Sequence, residues 1–436
     1  MRILHVITRL ILGGAQQNTV MSCKAQVDAG HEVHLAYGPI HGPEGSLLEE
    51  AQASGATLHE IKPMVRELSP LNDWRCYKDL CELVRSVNPD LVHSHSSKAG
   101  ILARVAAWNQ RRDTGKPLSS GGLPASEKDL EIYAQEIWRR EFDLKPKVIH
   151  TVHGLPFHDK QNALVHRMYV ALERYAAKRC DRLVAITPAM IKAFKHKNIT
   201  HPGKFRIIPS GIDVQAFTPQ PERRHAVRAK YGIPQDALVI GHVGRLDPLK
   251  GHADLLDQLP RLREGGDDRQ FSNRDVWLLF VGDGFHRAEL EKNPNMALGK
   301  TVMTGLVPLS SVPEHLAAMD VMALPSYQEG QSRTLCEALL CGVPVVGYDV
   351  GGISSVIRDG ETGRLVPVGD RAALGRAVLD LLDDPQYLAG LAERGRRHVV
   401  EHFSAAKMNR ELLELYEQLL CPPSSGETRP PAPEAL

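Results

Sequence analysis

Two carboxylates separated by seven residues, Glu329 and Glu337, bracket the run Gly330-Gln331-Ser332-Arg333-Thr334-Leu335-Cys336. Glycine, glutamine and serine read as loop, and Arg333 to Cys341 reads as helix, so Glu329 falls in the loop and Glu337 about one turn inside the helix. The first amides of a helix carry partial positive charge and attract phosphates and other anions. They would point at whatever lies over Gly330 to Ser332. One acid can then reach a sugar, and the other a second hydroxyl-bearing group. The run Gly342-Val343-Pro344-Val345-Val346-Gly347 follows as a short buried strand. Acid, anion-binding helix, acid and strand make a layout for holding a nucleotide sugar.

Further residues could serve the same chemistry. Arg245 and Lys250 stand five apart after an apolar run, with Gly251 behind the lysine. Two cations there can neutralise a diphosphate before and after its bond to sugar breaks, each charge-assisted contact contributing roughly 1.5–3 kcal/mol. The segment is not a Walker loop, so it does not imply nucleotide hydrolysis. Gly13 and Gly14 let backbone approach a ligand with no Cβ in the way, or else simply make a tight turn. They form no G-x-G-x-x-G pattern, which disfavours a dinucleotide cofactor. His93 and His95 end a strand, with Lys98 near the next helix start, and these three could bind an acceptor. His150, His153 and His158 resemble a metal cluster in composition only, since nothing in their spacing locks a ligand geometry. No D-x-D acid pair is present (Asp267-Asp268 lies in a polar loop), so metal independence is expected.

The Glu329/Glu337 pair resembles the E-x7-E signature of the retaining glycosyltransferases of family 4, which have the GT-B fold. Supporting motifs follow in the family's order. They are the strand Arg2 to Thr8 with Gly13-Gly14-Ala15-Gln16, then His150 to Gly154, Pro209 to Asp213, Gly244 to Gly251, Val281 to Gly284, and Thr304 to Val307. Each is weak alone; the ordered set, spanning residues 1 to about 420, is specific. The resemblance implies that Glu337 accepts hydrogen bonds from ribose hydroxyls. It places Glu329 by the transferred sugar, and Gly330, Gln331 and Ser332 as backbone contacts to sugar and phosphate. Family members often carry a small residue or proline at the position of Gln331, so its amide is expected to tune sugar choice. His153 is expected to contact the donor sugar or polarise the acceptor hydroxyl, with a packed or capping histidine as the alternative. Asp283, Leu306 and Val307 would line the nucleotide pocket, Asp283 with or without touching the nucleotide directly. Retention would proceed by same-face attack, a diphosphate oxygen helping to deprotonate the acceptor. The implied donor is a UDP- or GDP-linked sugar, used as substrate with no cofactor. The implied acceptor is a glycan or polyprenyl-linked glycan. Residues His93 to Gly100 and His150 to Phe157 are most similar to bacterial enzymes that build capsule, exopolysaccharide or lipopolysaccharide.

These residues need a scaffold to hold them. A chain of 436 residues suits two domains of roughly 200 residues each. Its formal charge of +1 offers no case for nucleic-acid binding. Seven cysteines without a C-x-x-C pair read as reduced structural thiols. No run approaches the roughly 18–20 apolar residues that span a bilayer. Arg9 interrupts the first apolar stretch, which reads as a buried strand rather than a signal peptide. A cytoplasmic protein is expected. Contact with the inner face of the membrane stays open, because Lys192, Lys195, Lys197 and Lys204 form either a basic patch or an ordinary solvated face.

Short apolar, β-branched runs alternate with amphipathic stretches nearly throughout. They are Arg2–Ile7, Glu32–Tyr37, Asp90–His93, Lys147–Val152 and Arg182–Ile186, then Leu238–Val243, Val276–Val281, Val321–Leu324 and Val343–Tyr348. That rhythm predicts an α/β protein of two doubly wound, Rossmann-like domains with parallel sheets, facing across a cleft. The expected division is 1–200 for acceptor and 201–402 for the nucleotide sugar, with a helix over 403–420 returning to the first domain. A disordered tail over 421–436 completes the division. Residues 111–146 interrupt the rhythm. Leu130, Tyr133, Ala134, Ile137 and Trp138 there fall at helical spacing, as a packed surface helix, an acceptor-side lid or a membrane contact. A nucleotide-sugar epimerase of the same fold and a non-catalytic glycan-assembly subunit are the alternatives in function. The combined Arg245, Lys250, Glu329 and Glu337 favour transfer.

Overall fold

The computed structural model describes residues 1–40, 45–113, 144–157, 161–264 and 275–421. The helix expected around Leu130–Trp138, the tail beyond Cys421, His158 and the Asp267-Asp268 pair lie outside the described residues. The chain divides into two compact units, Met1–Ile208 joined by the chain from Met408 onward, and Pro209–Lys407. The first unit thus runs past residue 200, and the second past residue 402.

Seven parallel strands form the sheet of the first unit, in the order β3-β2-β1-β4-β7-β8-β9. They are β1 (Arg2–Arg9), β2 (Glu32–Gly38), β3 (Thr57–Glu60), β4 (Leu91–His95), β7 (Lys147–Val152), β8 (Arg182–Ala185) and β9 (Phe205–Ile207). A small antiparallel ribbon, β5 (Arg112–Asp113) with β6 (Leu144–Lys145), stands apart. Both faces of the sheet are covered, which is why β1, β4 and β7 are buried at successive positions rather than alternate ones. On one face Leu4, Val6, Val92 and Val148 pack with Leu80, Val84, Ala103 and Ala107 of helices Pro70–Val87 and Ser97–Asn109. On the other, Ile3, Leu91, Ile149 and Val184 are covered by Met408, Leu412, Leu415 and Tyr416 of the helix Ala405–Leu420.

The second unit has six parallel strands in the order β12-β11-β10-β13-β14-β15. These are β10 (Leu238–Val243), β11 (Val276–Val281), β12 (Thr301–Met303), β13 (Val321–Leu324), β14 (Val345–Tyr348) and β15 (Arg364–Val366). β14 begins two residues later than its apolar run suggests, because Pro344 has no N–H to give the ladder. Val239, Leu279, Met322 and Val345 pack on one side with Leu335 and Leu339, while Ile240, Leu278, Val321 and Val346 pack on the other with Leu255, Leu259 and Leu374. Asp320 ties the amino ends of β10 and β13 together. Its carboxylate accepts from the Val239 amide (2.7 Å) and from Arg224 (2.7 Å) and Arg228 (3.0 Å). All seven cysteines are free, six of them buried. Among the described residues no helix is long and apolar enough to cross a membrane.

The register of the first sheet has a chemical consequence. His5 of β1 pairs with His93 of β4, and His95 of β4 with Thr151 of β7. Side chains two apart share a face, so three imidazoles crowd one side of the sheet. Burial pushes His5 down to about 4 from an ordinary 6.5, against a hydrogen bond to the Gln26 amide oxygen that raises it. It likewise holds His93, His95 and His150 well below the ordinary range. The unfolded chain therefore binds more protons than the folded one below pH 6.5. The stability from keeping these rings neutral is full above that pH and is lost as pH falls toward 4, at about 1.4 kcal/mol per group per pH unit. The melting temperature, followed by circular dichroism, should fall steadily between pH 6.5 and 4.5, and the slope should be shallower in His5→Gln. A midpoint independent of pH across that window would contradict the neutral cluster.

Candidate functional site

Four segments singled out in the second half of the chain follow the carboxyl ends of four neighbouring strands. Gly244–Gly251 follows β10, Gly282–Gly284 follows β11, Thr304–Val307 follows β12, and Ser326–Glu337 follows β13. In doubly wound parallel sheets this is the end where ligands bind.

The loop after β10 closes in a short 3-10 turn, Pro248–Lys250, capped by Asp247, whose carboxylate accepts from the Leu249 amide at 3.0 Å. Gly251 then turns left-handed (φ 72°), and a Cβ there would lie 2.0 Å from the Pro325 carbonyl oxygen. Only glycine permits that approach. The contact, with the Tyr327 amide bonded to the Leu249 carbonyl at 2.8 Å, binds the β10 loop to the β13 loop. Lys250 Nζ consequently meets Glu329 Oε1 in an ion pair, with Ser326 Oγ donating to the same oxygen at 3.0 Å. Glu329 is fixed from behind as well. Gly351 (φ 56°) lies so near that a Cβ would stand 2.1 Å from the Glu329 carbonyl oxygen. Arg245 remains accessible, its side chain 59 % exposed and 3.4 Å from Asp247.

Ser332 caps the helix Arg333–Leu340, its hydroxyl accepting from the Leu335 amide. Glu337 lies inside that helix and is buried. Burial pushes its carboxyl up, and Arg333, 3.9 Å away, opposes the shift. Arg333 also donates to the Gly211 carbonyl at 2.7 Å. Gln331 was expected to choose among sugars through its amide. Instead its side chain is buried, with Oε1 accepting from the Ser210 amide (2.7 Å) and Nε2 donating to the Ser210 carbonyl (2.8 Å). Both ends of the amide are spent on holding Pro209–Gly211 against the acidic loop, so contacts from Gly330 and Gln331 to a ligand fall to their backbones. Asp283 accepts from the Gly284 amide at 2.8 Å and faces Arg287 at 3.5 Å, as a turn former does. Leu306 is 66 % exposed, while Val307 packs on the core beneath.

The first unit presents its candidates at the carboxyl ends of the adjacent strands β1, β4 and β7. Gly13 is the extended N-cap of the helix Gly14–Asp28, which has no acid in its first turn. His93 and His95 are corrected as acceptor contacts. His93 is fully buried, with Nδ1 on the Tyr416 hydroxyl and Nε2 on Thr151 Oγ1 (2.7 Å). His95 spends Nε2 on His5 Nδ1 and Nδ1 on His153 Nε2, both at 3.0 Å. Lys98 pairs with Asp73 and donates to the Glu67 carbonyl, so its charge is compensated within its own unit. Half-buried His153 is the outermost of these rings.

Sequence reasoning missed His5, Gln26 and Tyr416, which complete the histidine cluster. A lone histidine inside an apolar strand was the available signal. It also missed Asp254, a buried carboxylate that accepts from Tyr327 and Tyr348 (2.7 Å each) and from Arg371 (2.8 Å), steadying the loop after β13. Among the described residues, His5, His93 and His95 form a group whose ring nitrogens lie within 4.8 Å of one another, as metal ligands could. None of the His150, His153 and His158 trio is shared with it.

Known proteins are similar to this chain along most of its length. Residues 12–118 and 132–216 match the family model Glycosyltransferase Family 4, and residues 237–384 match Glycosyl transferases group 1. The chain is 25% identical, over 95% of its own length and 96% of the relative's, to the UDP-Gal:alpha-D-GlcNAc-diphosphoundecaprenol alpha-1,3-galactosyltransferase of Escherichia coli. It is 33% identical to the GDP-mannose-dependent alpha-(1-6)-phosphatidylinositol monomannoside mannosyltransferase of Mycolicibacterium smegmatis, across 48% of this chain and 55% of that one. Its fold is that of Anabaena HepE, crystallised with UDP and glucose. The TM-score is 0.73 at 19% identity, with 96% of this chain and 100% of that one covered. With both halves matched in order and two parallel-sheet units beneath them, the chain belongs to the family 4, group 1 glycosyltransferases of GT-B fold.

Proposed function

We propose that the protein is a retaining glycosyltransferase that moves a sugar from a nucleoside-diphosphate donor to a glycan or lipid-linked glycan. The Lys250–Glu329 ion pair carries this reading. It places a cation suited to a diphosphate against an acid suited to a sugar, at the carboxyl ends of β10 and β13. On donor binding the diphosphate takes over Lys250, and Arg245 joins it from its accessible position. Glu329, released from the lysine, turns to the sugar hydroxyls and to the positive charge that develops at the anomeric carbon. Glu337 accepts from the ribose hydroxyls, which supply the donors its buried carboxylate needs. The amides at the start of the helix Arg333–Leu340 face the phosphates. Leu306 and Val307 offer an apolar bed for the base, and Asp283 shapes the turn beside it.

With cations on the leaving diphosphate, no metal is required by this scheme. The acceptor hydroxyl attacks on the face the diphosphate leaves, and a diphosphate oxygen takes its proton. His153 serves the sugar or that hydroxyl, and the amides after Gly13 and Gly14 lie ready for an anion. The E. coli relative, whose acceptor is named as a diphosphoundecaprenol-linked sugar, supports a polyprenyl-linked acceptor and a role in cell-surface polysaccharide synthesis. Such an enzyme works in the cytoplasm or at the inner face of its membrane.

Titration calorimetry of UDP and GDP, with and without EDTA, checks the donor side. One of the two should bind, insensitive to EDTA. Glu337→Ala and Lys250→Ala should each weaken it about 10- to 100-fold, the loss of one charge-assisted hydrogen bond or ion pair. Unchanged dissociation constants in both variants would remove these residues from the donor site. His153→Ala should lower turnover about ten-fold or more with nucleotide affinity little changed. Turnover equal to wild type would end its role in the reaction.

A further inference from the structure

The side chains that brace Glu329 converge on one carboxylate. Asp254 lies in the first turn of the helix His252–Glu264, just after the Lys250–Gly251 turn, and its amide donates to the Gly251 carbonyl at 2.9 Å. It is 2 % exposed. Its Oδ2 accepts from the Tyr327 and Tyr348 hydroxyls, each at 2.7 Å, and its Oδ1 from Arg371 at 2.8 Å. The two tyrosine rings meet near edge to face, 5.7 Å between centroids, as their tips close on the same oxygen. Arg371 divides its charge between Asp254 and Asp257 (2.7 Å). Segments at the carboxyl ends of β10, β13, β14 and β15 thus share one buried group.

A tyrosine has two side-chain torsions and a rigid ring, so holding its hydroxyl restrains the backbone that bears it. Tyr327 stands two residues before Glu329, and its neighbour Ser326 donates to Glu329 Oε1. Tyr348 stands three residues before Gly351, which packs on the Glu329 carbonyl oxygen, and the Gly352 amide donates to that oxygen at 3.4 Å. Asp254 therefore grips the chain in front of Glu329 and the chain behind it. We infer that Asp254 is a positioning residue for Glu329, fixing through Tyr327 and Tyr348 the backbone from which that acid meets Lys250 and a donor sugar. The rival is a polar knot that serves stability alone. Against it, a buried ion pair is at best about even with apolar packing of the same volume, so stability gives no reason to place a charge there.

The sugar contact rests on the transferase reading, whereas the place of Glu329 can be observed in the ligand-free protein. Asp254→Leu keeps a branched side chain and removes the acceptor, while Asp254→Asn keeps an oxygen for both hydroxyls. The double variant Tyr327→Phe/Tyr348→Phe keeps the rings and the Asp254–Arg371 pair, and carries the test should Asp254→Leu not fold. Crystal structures should show the Glu329 backbone displaced by about 1 Å or more in Asp254→Leu and in the double variant, and in its wild-type place in Asp254→Asn. An unmoved Glu329 in either of the first two overturns the inference. Titration calorimetry with UDP-glucose, UDP-galactose and GDP-mannose, and with free UDP and GDP, then tests the consequence. The nucleotide sugar that the wild type binds should lose about ten-fold or more in affinity in the displaced variants, its free nucleotide staying within about three-fold. Asp254→Asn should bind both as the wild type does. A loss shared equally by sugar-bearing and free nucleotide, or as large in Asp254→Asn, would reduce Asp254 to a stabilising group. A wild type that binds none of these ligands would instead count against the transferase reading, leaving the crystallographic result standing.

Discussion

Lys250 and Glu329 stand 79 residues apart in the chain and meet because β10 and β13 are neighbours in a parallel sheet whose loops leave at the same end. Neighbouring strands alone would leave those loops several ångströms from contact. Closing the gap takes backbone against backbone, with Gly251 on the Pro325 carbonyl and Gly351 on the Glu329 carbonyl, positions where a Cβ would overlap an oxygen. Most of what the second unit offers a ligand depends on that closure. It orients the lysine, aims the acid, and sets where the helix beginning at Arg333 presents its first amides. The acid and cation satisfy one another while no ligand is bound. Any anion arriving at Lys250 therefore exchanges one partner for another and does not meet a bare charge. The affinity it gains is a difference between two ion pairs, smaller than either.

The two units solve the problem of polar groups at strand ends in opposite ways. The second keeps charges and balances them, Lys250 with Glu329, Arg333 with Glu337, and Arg371 with Asp254. The first strips charge away. Its rings His5, His93 and His95, on β1 and β4, are buried and kept neutral, and each of their nitrogens is matched to a hydroxyl, an amide or another ring. Balanced charges suit a substrate that carries a diphosphate. A neutral, hydrogen-bonded network suits one that carries hydroxyls, because its polarity can be set without a counter-ion.

Much of the fold was legible in the sequence because buried parallel strands are written as unbroken apolar runs. β7, β10, β11 and β13 begin and end where those runs do. The strands left unread, β3, β5, β6, β9, β12 and β15, have two to four residues each and most are only partly buried. A period too short to repeat gives no signal. The acidic pair and the two cations were legible by type and spacing. What each side chain touches was not. Gln331 had the chemistry to read a sugar, but its reciprocal bonds to Ser210 depend on two loops brought together from 121 residues apart. His93 and His95 looked like surface ligands because they end a strand. Their burial follows from Tyr416 and the helix Ala405–Leu420, more than 300 residues away.

The histidines show why residue type at a strand end is a weak guide to its task. His93, His95 and His153 all sit at the carboxyl edge of one sheet, within reach of one another and with the same ring. Burial and hydrogen-bond order divide their roles. His93 is closed on both nitrogens by oxygen partners, and His95 by two other imidazoles. His153 is the ring that keeps part of its surface toward solvent. Within a line of neutral imidazoles the buried members cannot change protonation cheaply, since charging any of them in that interior is what lowered their affinity for protons. The outermost ring is thereby held, on one of its nitrogens, by a partner buried behind it.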